Sequence, residues 1–343
     1  MDPGQLLMVG IPGPSLDRAT RRRLARIRPG GIILFRRNVR SLAQLRRLCA
    51  DLHRAYPKVL IGIDHEGGRV NRLPPPFTAF PPARSVAAAG SPRVAFAVGR
   101  AMGRELASVG IDVDFAPVLD VLTHPRNRVI GDRAFGSTPA QVATLGLALA
   151  RGLRAGGVIP CGKHFPGHGA TRGDSHVVLP RVRRGRAELA RIDLVPFRRA
   201  VAARIPCIMT AHVLYPALDR SSPASLSAPI VTGILRRTFG FRGVIVSDDL
   251  EMGAVAQRLS PEDAAVRAVA AGTDMLLVCA DLGVAERARD GLAAALTDGR
   301  IARDRVREAA ARIAKLRTLR GRRPSPLRHW PAPDHVALAR CLG

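Results

Sequence analysis

Eight short apolar runs recur along the 343-residue chain, at 6–9, 31–34, 59–63, 113–115, 158–161, 207–209, 243–246 and 275–279. Most lack polar alternation, the pattern of parallel strands covered on both faces. Longer amphipathic stretches lie between and after them, near 16–28, 41–55, 92–108, 138–155, 187–203, 228–238, 262–271 and 284–296. Two of these open on helix-start signals, Asp17 and the Ser260-Pro261-Glu262-Asp263 run. This alternation predicts an α/β fold, a single-domain TIM-like (β/α)8 barrel, over a doubly wound sheet. No GxGxxG or phosphate-cradling glycine loop follows the first run, which argues against a nucleotide fold. The barrel is expected over residues 1–320, closing with an amphipathic helix at 304–320. Residues 321–343, with Pro324, Pro326, Pro331 and Pro333, are expected to form a C-terminal extension packed on the barrel or trailing from it.

An apolar fraction of 47% is ample for such a core, and no apolar run is long enough to span a bilayer. The N-terminus lacks the basic stretch and cleavage site of a secretory signal, so a cytoplasmic location is expected. Cys49, Cys161, Cys207, Cys279 and Cys341 are odd in number and widely spaced. Cys161, Cys207 and Cys279 sit in strand-like contexts and read as buried free thiols rather than a disulfide framework or a metal site. The net charge of +27 is almost all arginine, since only Lys58, Lys163 and Lys315 are lysines. The arginines are scattered in small groups, and aromatics make up only 4% of the chain. A basic stripe interleaved with aromatics, the mark of a nucleic-acid binder, is missing, so no specific nucleic-acid partner is expected. An arginine-rich nucleic-acid-binding protein is the rival reading from outside enzymology.

Three long connections, 66–90, 117–138 and 162–180, follow strands and so emerge at the C-terminal face, where active sites of this fold sit. The third holds the densest chemistry: one lysine, three histidines and an aspartate between Lys163 and His176, on a glycine-rich backbone. Asp174 stands two residues before His176, a spacing that can fix one imidazole tautomer and raise its pKa. Asp64 ends the third apolar run, Asp248 ends the seventh, and Lys163 and His164 end the fifth. Charged groups ending three strands predict a polar pocket at one mouth.

The stretch from Lys163-His164-Phe165-Pro166-Gly167-His168-Gly169 through Asp174-Ser175-His176 resembles the signature of family 3 glycoside hydrolases of the β-N-acetylglucosaminidase type. The segments 63–72, 115–121, 129–136, 209–212 and 246–252 resemble further motifs of that family, in the same order. The resemblance covers roughly residues 5–320. It departs at His65, where glutamine or another polar group is expected. It implies a retaining exo-acting hydrolase that removes terminal β-linked N-acetylglucosamine, with muropeptide fragments of peptidoglycan recycling as substrates. Asp248 is then the nucleophile, His176 the general acid and base, and Asp174 the carboxylate that orients His176. Asp64, Arg72, Arg133, Lys163 and His164 are implied to line the sugar subsite. The partner is a small saccharide or muropeptide, no metal or cofactor is implied, and a monomer is the favoured state.

His65, His168 and His212 read as structural hydrogen-bonding residues rather than catalysts. A phosphorylase on the same scaffold is the nearest rival enzyme, because a histidine acid/base repels phosphate less than a carboxylate does. The pair Asp248-Asp249 admits a substrate-assisted hexosaminidase, in which both carboxylates reach the sugar only if the strand has already ended. His164, His168, Asp174 and His176 have residue types that suit zinc, without a compact ligand spacing.

Overall fold

The computed structural model describes residues 2–175, 178–321, 327 and 329–343. Eight parallel strands close into a barrel in sequence order, the (β/α)8 architecture expected from the alternation. They are β1 (Leu7–Gly10), β2 (Gly31–Leu34), β3 (Leu60–Ile63), β4 (Val113–Asp114), β5 (Ile159–Phe165), β6 (Cys207–Thr210), β7 (Val244–Asp249) and β8 (Met275–Val278). Every residue of β1 to β6 and of β8 is buried, and the strands are apolar except for Asp114 of β4, Lys163 and His164 of β5 and Thr210 of β6. Glycines make room where side chains fill the barrel. A Cβ on Gly31 would stand 2.4 Å from the Met8 side chain, and one on Gly62 would stand 3.0 Å from Phe115.

The outer ring begins with α1 (Arg18–Ile27), α2 (Leu42–Ala55), α3 (Pro92–Ser108) and α4 (Pro139–Ala155). It continues with α5 (Val195–Ala202), the π-helical α6 (Pro229–Thr238), α7 (Pro261–Ala271) and α8 (Leu282–Thr297). The two helix starts legible in the sequence are true N-caps: Asp17 accepts the Thr20 N–H at 2.7 Å, and Ser260 accepts that of Asp263 at 3.1 Å. The helix expected at 187–203 is two pieces, Arg186–Arg191 and α5, with Pro196 in the first turn of the second. The connection 66–90 holds one short helix, Ala83–Ala88.

After the barrel come α9 (Arg303–Thr318) and α10 (Pro333–Arg340). His335 of α10 places Nδ1 2.8 Å from the buried Glu105 of α3, so the end of the chain is tied to the barrel wall. No helix among the described residues is long and apolar enough to cross a membrane.

Two strands run further than their apolar stretches indicate. The fifth was expected to end at 161, but β5 continues through Lys163 and His164 to Phe165, with Phe165 opposite Thr210 of β6. The seventh was expected to end at 246, but β7 continues to Asp249, with a register irregularity against β8 between Val246 and Asp249.

Candidate active site

A cavity of about 570 Å³ opens at the C-terminal end of the barrel. Asp64, Arg72, Arg133, Lys163, His164, Asp174 and Asp248, seven of the eight residues singled out in the sequence, line it. The eighth, His176, lies outside the described residues. The charges that end β3, β5 and β7 thus meet at one mouth.

A buried ion network forms its floor. Lys163 is 2% exposed and places Nζ 2.6 Å from Asp64 Oδ1 and 2.6 Å from Glu66 Oε1. Glu66 also accepts from Arg133, whose Nε and Nη2 each donate over 2.8 Å to its two oxygens. That fork fixes the guanidinium plane. Glu66 reaches both cations because the chain turns sharply after it, through Gly67 at φ +86° and Gly68 at φ +55°, and its N–H bonds Val70 O at 2.9 Å. Burial opposes the charge on Glu66, but Lys163 and Arg133 outweigh it and hold the carboxyl below its ordinary range. Burial likewise opposes the charge on Lys163, and Asp64 and Glu66 overcome it, raising the ammonium above its usual value.

Asp120 organises the next layer. It is fully buried and accepts from His164 Nδ1 at 2.7 Å, His164 N at 3.2 Å and His168 N at 2.6 Å. With its Nδ1 proton on Asp120, His164 turns Nε2 toward Arg133 Nη2 at 3.4 Å. His168 lines the cavity, but its ring is occupied by Thr171 Oγ1 at 2.8 Å and Ser175 Oγ at 3.3 Å. Burial first, then the charge of His164, lowers its pKa to about 4, so it is neutral near pH 7. The backbone of Ser175 is held on its other side by the Ala254 N–H, 3.2 Å from Ser175 O. The residue before His176 is therefore fixed between the fifth and seventh βα connections. Asp174 stands exposed at the cavity rim.

Asp248 is half-buried and accepts the Asp249 N–H at 2.9 Å. Burial works against its ionisation. His212, His164, the Asp249 N–H and Lys163 together prevail and hold it below the usual carboxylate range. Asp249 also lines the cavity, although the strand has not ended there, because the irregularity in β7 re-aims its last residues. One Asp249 oxygen accepts the N–H groups of Glu251 at 3.1 Å and Cys279 at 3.2 Å. Burial, with the charges of Glu251 and Asp248, raises its pKa to about 7. The two adjacent carboxyls are thus driven to opposite protonation preferences.

Arg72 lines the opposite wall over Phe35, its guanidinium carbon 5.9 Å from the ring centre, and its buried Nε has no protein partner. His65, the departure from the family motif, is 1% exposed and does not line the cavity; burial lowers its pKa to about 4. Glu66 and Asp120 are the site residues that sequence reasoning did not single out. Asp120 is visible as a lone carboxylate within an apolar run and Glu66 as the second acid of Asp64-His65-Glu66 before two glycines, settings that call for a paired charge.

The ion network gives a pH signature. A carboxyl depressed on folding stabilises fully above its unfolded value, 4.5 for Glu66, and loses that contribution as pH falls toward its lower folded value. An ammonium raised on folding stabilises fully below its unfolded value, 10.5 for Lys163, and loses it as pH rises toward the folded one. The Tm deficit of Glu66→Gln against wild type is therefore expected to shrink between about pH 7 and about pH 3. A constant deficit would show that Glu66 carries no such charge.

The model of the glycosyl hydrolase family 3 N terminal domain matches residues 2–316. The chain is 46% identical to a β-hexosaminidase of Chromobacterium violaceum over 280 residues, 80% of this chain and 78% of that protein. It is 43% identical to the β-hexosaminidase of Pseudomonas aeruginosa over 289 residues, covering 82% and 84%. Native NagZ from Neisseria gonorrhoeae superposes with a TM-score of 0.86 at 35% identity, over 98% of this chain and 97% of that one. A family 3 β-N-acetylglucosaminidase from Paenibacillus superposes with a TM-score of 0.94 at 37% identity, over 99% and 67%. With its barrel, its carboxylate-lined mouth and these relatives, the chain belongs to glycoside hydrolase family 3, in the branch that holds the β-hexosaminidases.

Proposed function

We propose that the protein is a retaining exo-β-N-acetylglucosaminidase, acting in the cytoplasm on muropeptide fragments that end in β-linked N-acetylglucosamine. The observation that carries this reading is the placement of Asp248, favoured in its ionised form, across one cavity from the Lys163–Asp64–Glu66–Arg133 network. Asp64, Arg72, Arg133, Lys163 and His164 hold the sugar; charged donors and a carboxylate acceptor suit its hydroxyls and acetamide. Asp248 attacks the anomeric carbon, and the bond to the leaving oxygen breaks as His176 gives that oxygen a proton. Water then attacks the glycosyl-aspartate, gives its proton to His176, and frees the sugar and Asp248. Asp174 orients His176 and favours its protonated form between the two half-reactions. The contact of His168 with Ser175, which stands between Asp174 and His176 in sequence, supports this role.

Digestion of a β-linked N-acetylglucosamine disaccharide, followed by proton NMR with and without inorganic phosphate, tests the reading. The expected first product is the β-anomer of free N-acetylglucosamine in both media. The α-anomer first would overturn double displacement, and sugar-1-phosphate as main product would overturn hydrolysis. His176→Ala is expected to impair an activated aryl glycoside by about tenfold and the natural disaccharide by about 1000-fold. Equal losses would remove His176 as the leaving-group acid.

A further inference from the structure

The end of the barrel opposite the sugar pocket holds another cavity, of about 760 Å³. Its wall includes Pro206, just before β6, and Val244, which opens β7, together with residues of α5, α9 and the 238–243 segment. The lining has two characters. Phe241, Val244 and Leu316 are buried and make one part apolar. Arg198, Arg204, Arg242, Arg312 and Lys315 make the other part basic, and no acidic residue is among the described lining. Arg198, Arg204, Arg242 and Lys315 are exposed, and among the described residues no carboxylate pairs with any of the four.

Positive charge is also in excess behind this wall. The fully buried Asp274 accepts from three guanidiniums: Arg236, Arg305 at 2.6 Å and Arg312 at 3.1 Å. Glu308 is the other carboxylate there, 3.3 Å from both Arg305 and Arg312. Burial, with repulsion from Arg312 and Arg305, outweighs Asp274 and lowers the pKa of Arg236 to about 10. Arg236 also donates to Phe241 O at 2.9 Å and Gly243 O at 2.6 Å, which fixes the segment that carries Phe241 and Arg242. The backbone of Arg204 gives an independent sign. It closes α5 in the left-handed conformation, φ +58°, with its N–H on Val201 O at 2.9 Å and the Ile205 N–H on Ala200 O at 3.0 Å. Glycine is the usual residue at such a helix end, because a Cβ is disfavoured there. An arginine at this position of the cavity wall is held against the preference of its own backbone.

We propose that this cavity is a second ligand site, which takes a small organic phosphate. The dianionic head lies among Arg198, Arg204, Arg242 and Lys315, and the apolar body against Phe241, Val244 and Leu316. Cations gathered in a concave wall repel one another and draw in anions. A carboxylate brings a single charge to four unpaired cations, whereas a phosphate monoester brings about two, on three acceptor oxygens. The cavity exceeds the sugar pocket of about 570 Å³ and shares no lining residue with it. The site is therefore independent of the glycosidase reading.

Isothermal titration of the full chain with naphthyl phosphate, at about 0.15 M salt to screen diffuse attraction, tests the site. One molecule is expected to bind per chain, about tenfold or more tighter than inorganic phosphate, and saturating N-acetylglucosamine is expected not to displace it. Arg204→Gly is expected to weaken binding by about tenfold while Tm stays at or above that of wild type, since glycine adopts φ +58° readily. Arg242→Gln is expected to weaken it by a similar factor. Arg22→Gln, which removes one exposed charge from α1, is expected to leave affinity within about twofold. Affinity no greater than that of inorganic phosphate, displacement by N-acetylglucosamine, or a loss in Arg22→Gln as large as in Arg204→Gly overturns the site. Unchanged affinity in both Arg204→Gly and Arg242→Gln overturns it as well.

Discussion

Asp248→Asn is expected to lower kcat for a β-N-acetylglucosaminide by about 10⁴-fold or more. The asparagine keeps the carbonyl oxygen that accepts the Asp249 N–H, so the end of β7 has no reason to move. What is lost is the negative charge that His212, His164 and Lys163 favour, and with it the atom that bonds to the anomeric carbon. Thermal stability is expected to stay within about 1 kcal/mol of wild type, since the substitution is isosteric and the site half-buried. A matched loss of activity and Tm would recast Asp248 as a structural carboxylate. The neighbouring Asp249 makes a useful contrast. Its side chain already accepts two backbone N–H groups, so Asp249→Ala is expected to show in Tm as well as in turnover.

Lys163→Met is expected to cost both activity and stability. The ammonium is 2% exposed and stands 2.6 Å from each of two carboxylates. Removing it leaves Asp64 without its 2.6 Å partner and Glu66 with Arg133 alone. Breaking a buried pair from one side typically destabilises by about 3 kcal/mol, because the surviving charge keeps its desolvation penalty. The sugar pocket also loses a charged donor, which is expected to lower kcat/KM by about 100-fold. Adding Glu66→Gln to Lys163→Met is expected to cost less than the sum of the two single losses, as direct partners do in a double-mutant cycle. Strict additivity in both Tm and activity would mean that the two groups do not share one network.

Much of this site was legible before the fold because a barrel collects strand ends at one mouth. Asp64 and Asp248 could be placed by the apolar runs they terminate, and Lys163 and His164 by the run before them. The same apolar signal set the strands too short. Lys163 and His164 belong to β5 although they are polar, since their side chains turn to the cavity while the backbone keeps its pairing: Leu119 N–H bonds Lys163 O at 2.6 Å. The irregularity that brings Asp249 beside Asp248 has no local sequence signal, because register is set by the neighbouring strand. Glu66 and Asp120 carry most of the polar framework yet were absent from the sequence-derived set. An acid's importance here depends on which distant cations meet it, and Arg133 is 67 residues from Glu66, while His164 is 44 from Asp120.

The central claim is that Asp248 forms a covalent bond to the sugar. A mechanism-based 5-fluoro or 2-deoxy-2-fluoro analogue of N-acetylglucosamine, incubated with the wild-type protein and followed by proteolysis and peptide mass mapping, reads that bond directly. The account predicts one added glycosyl mass, on Asp248, which is absent when excess N-acetylglucosamine competes. A label on Asp249, on Asp174 or on any other residue, or none at all while the protein remains an active glycosidase, would contradict it.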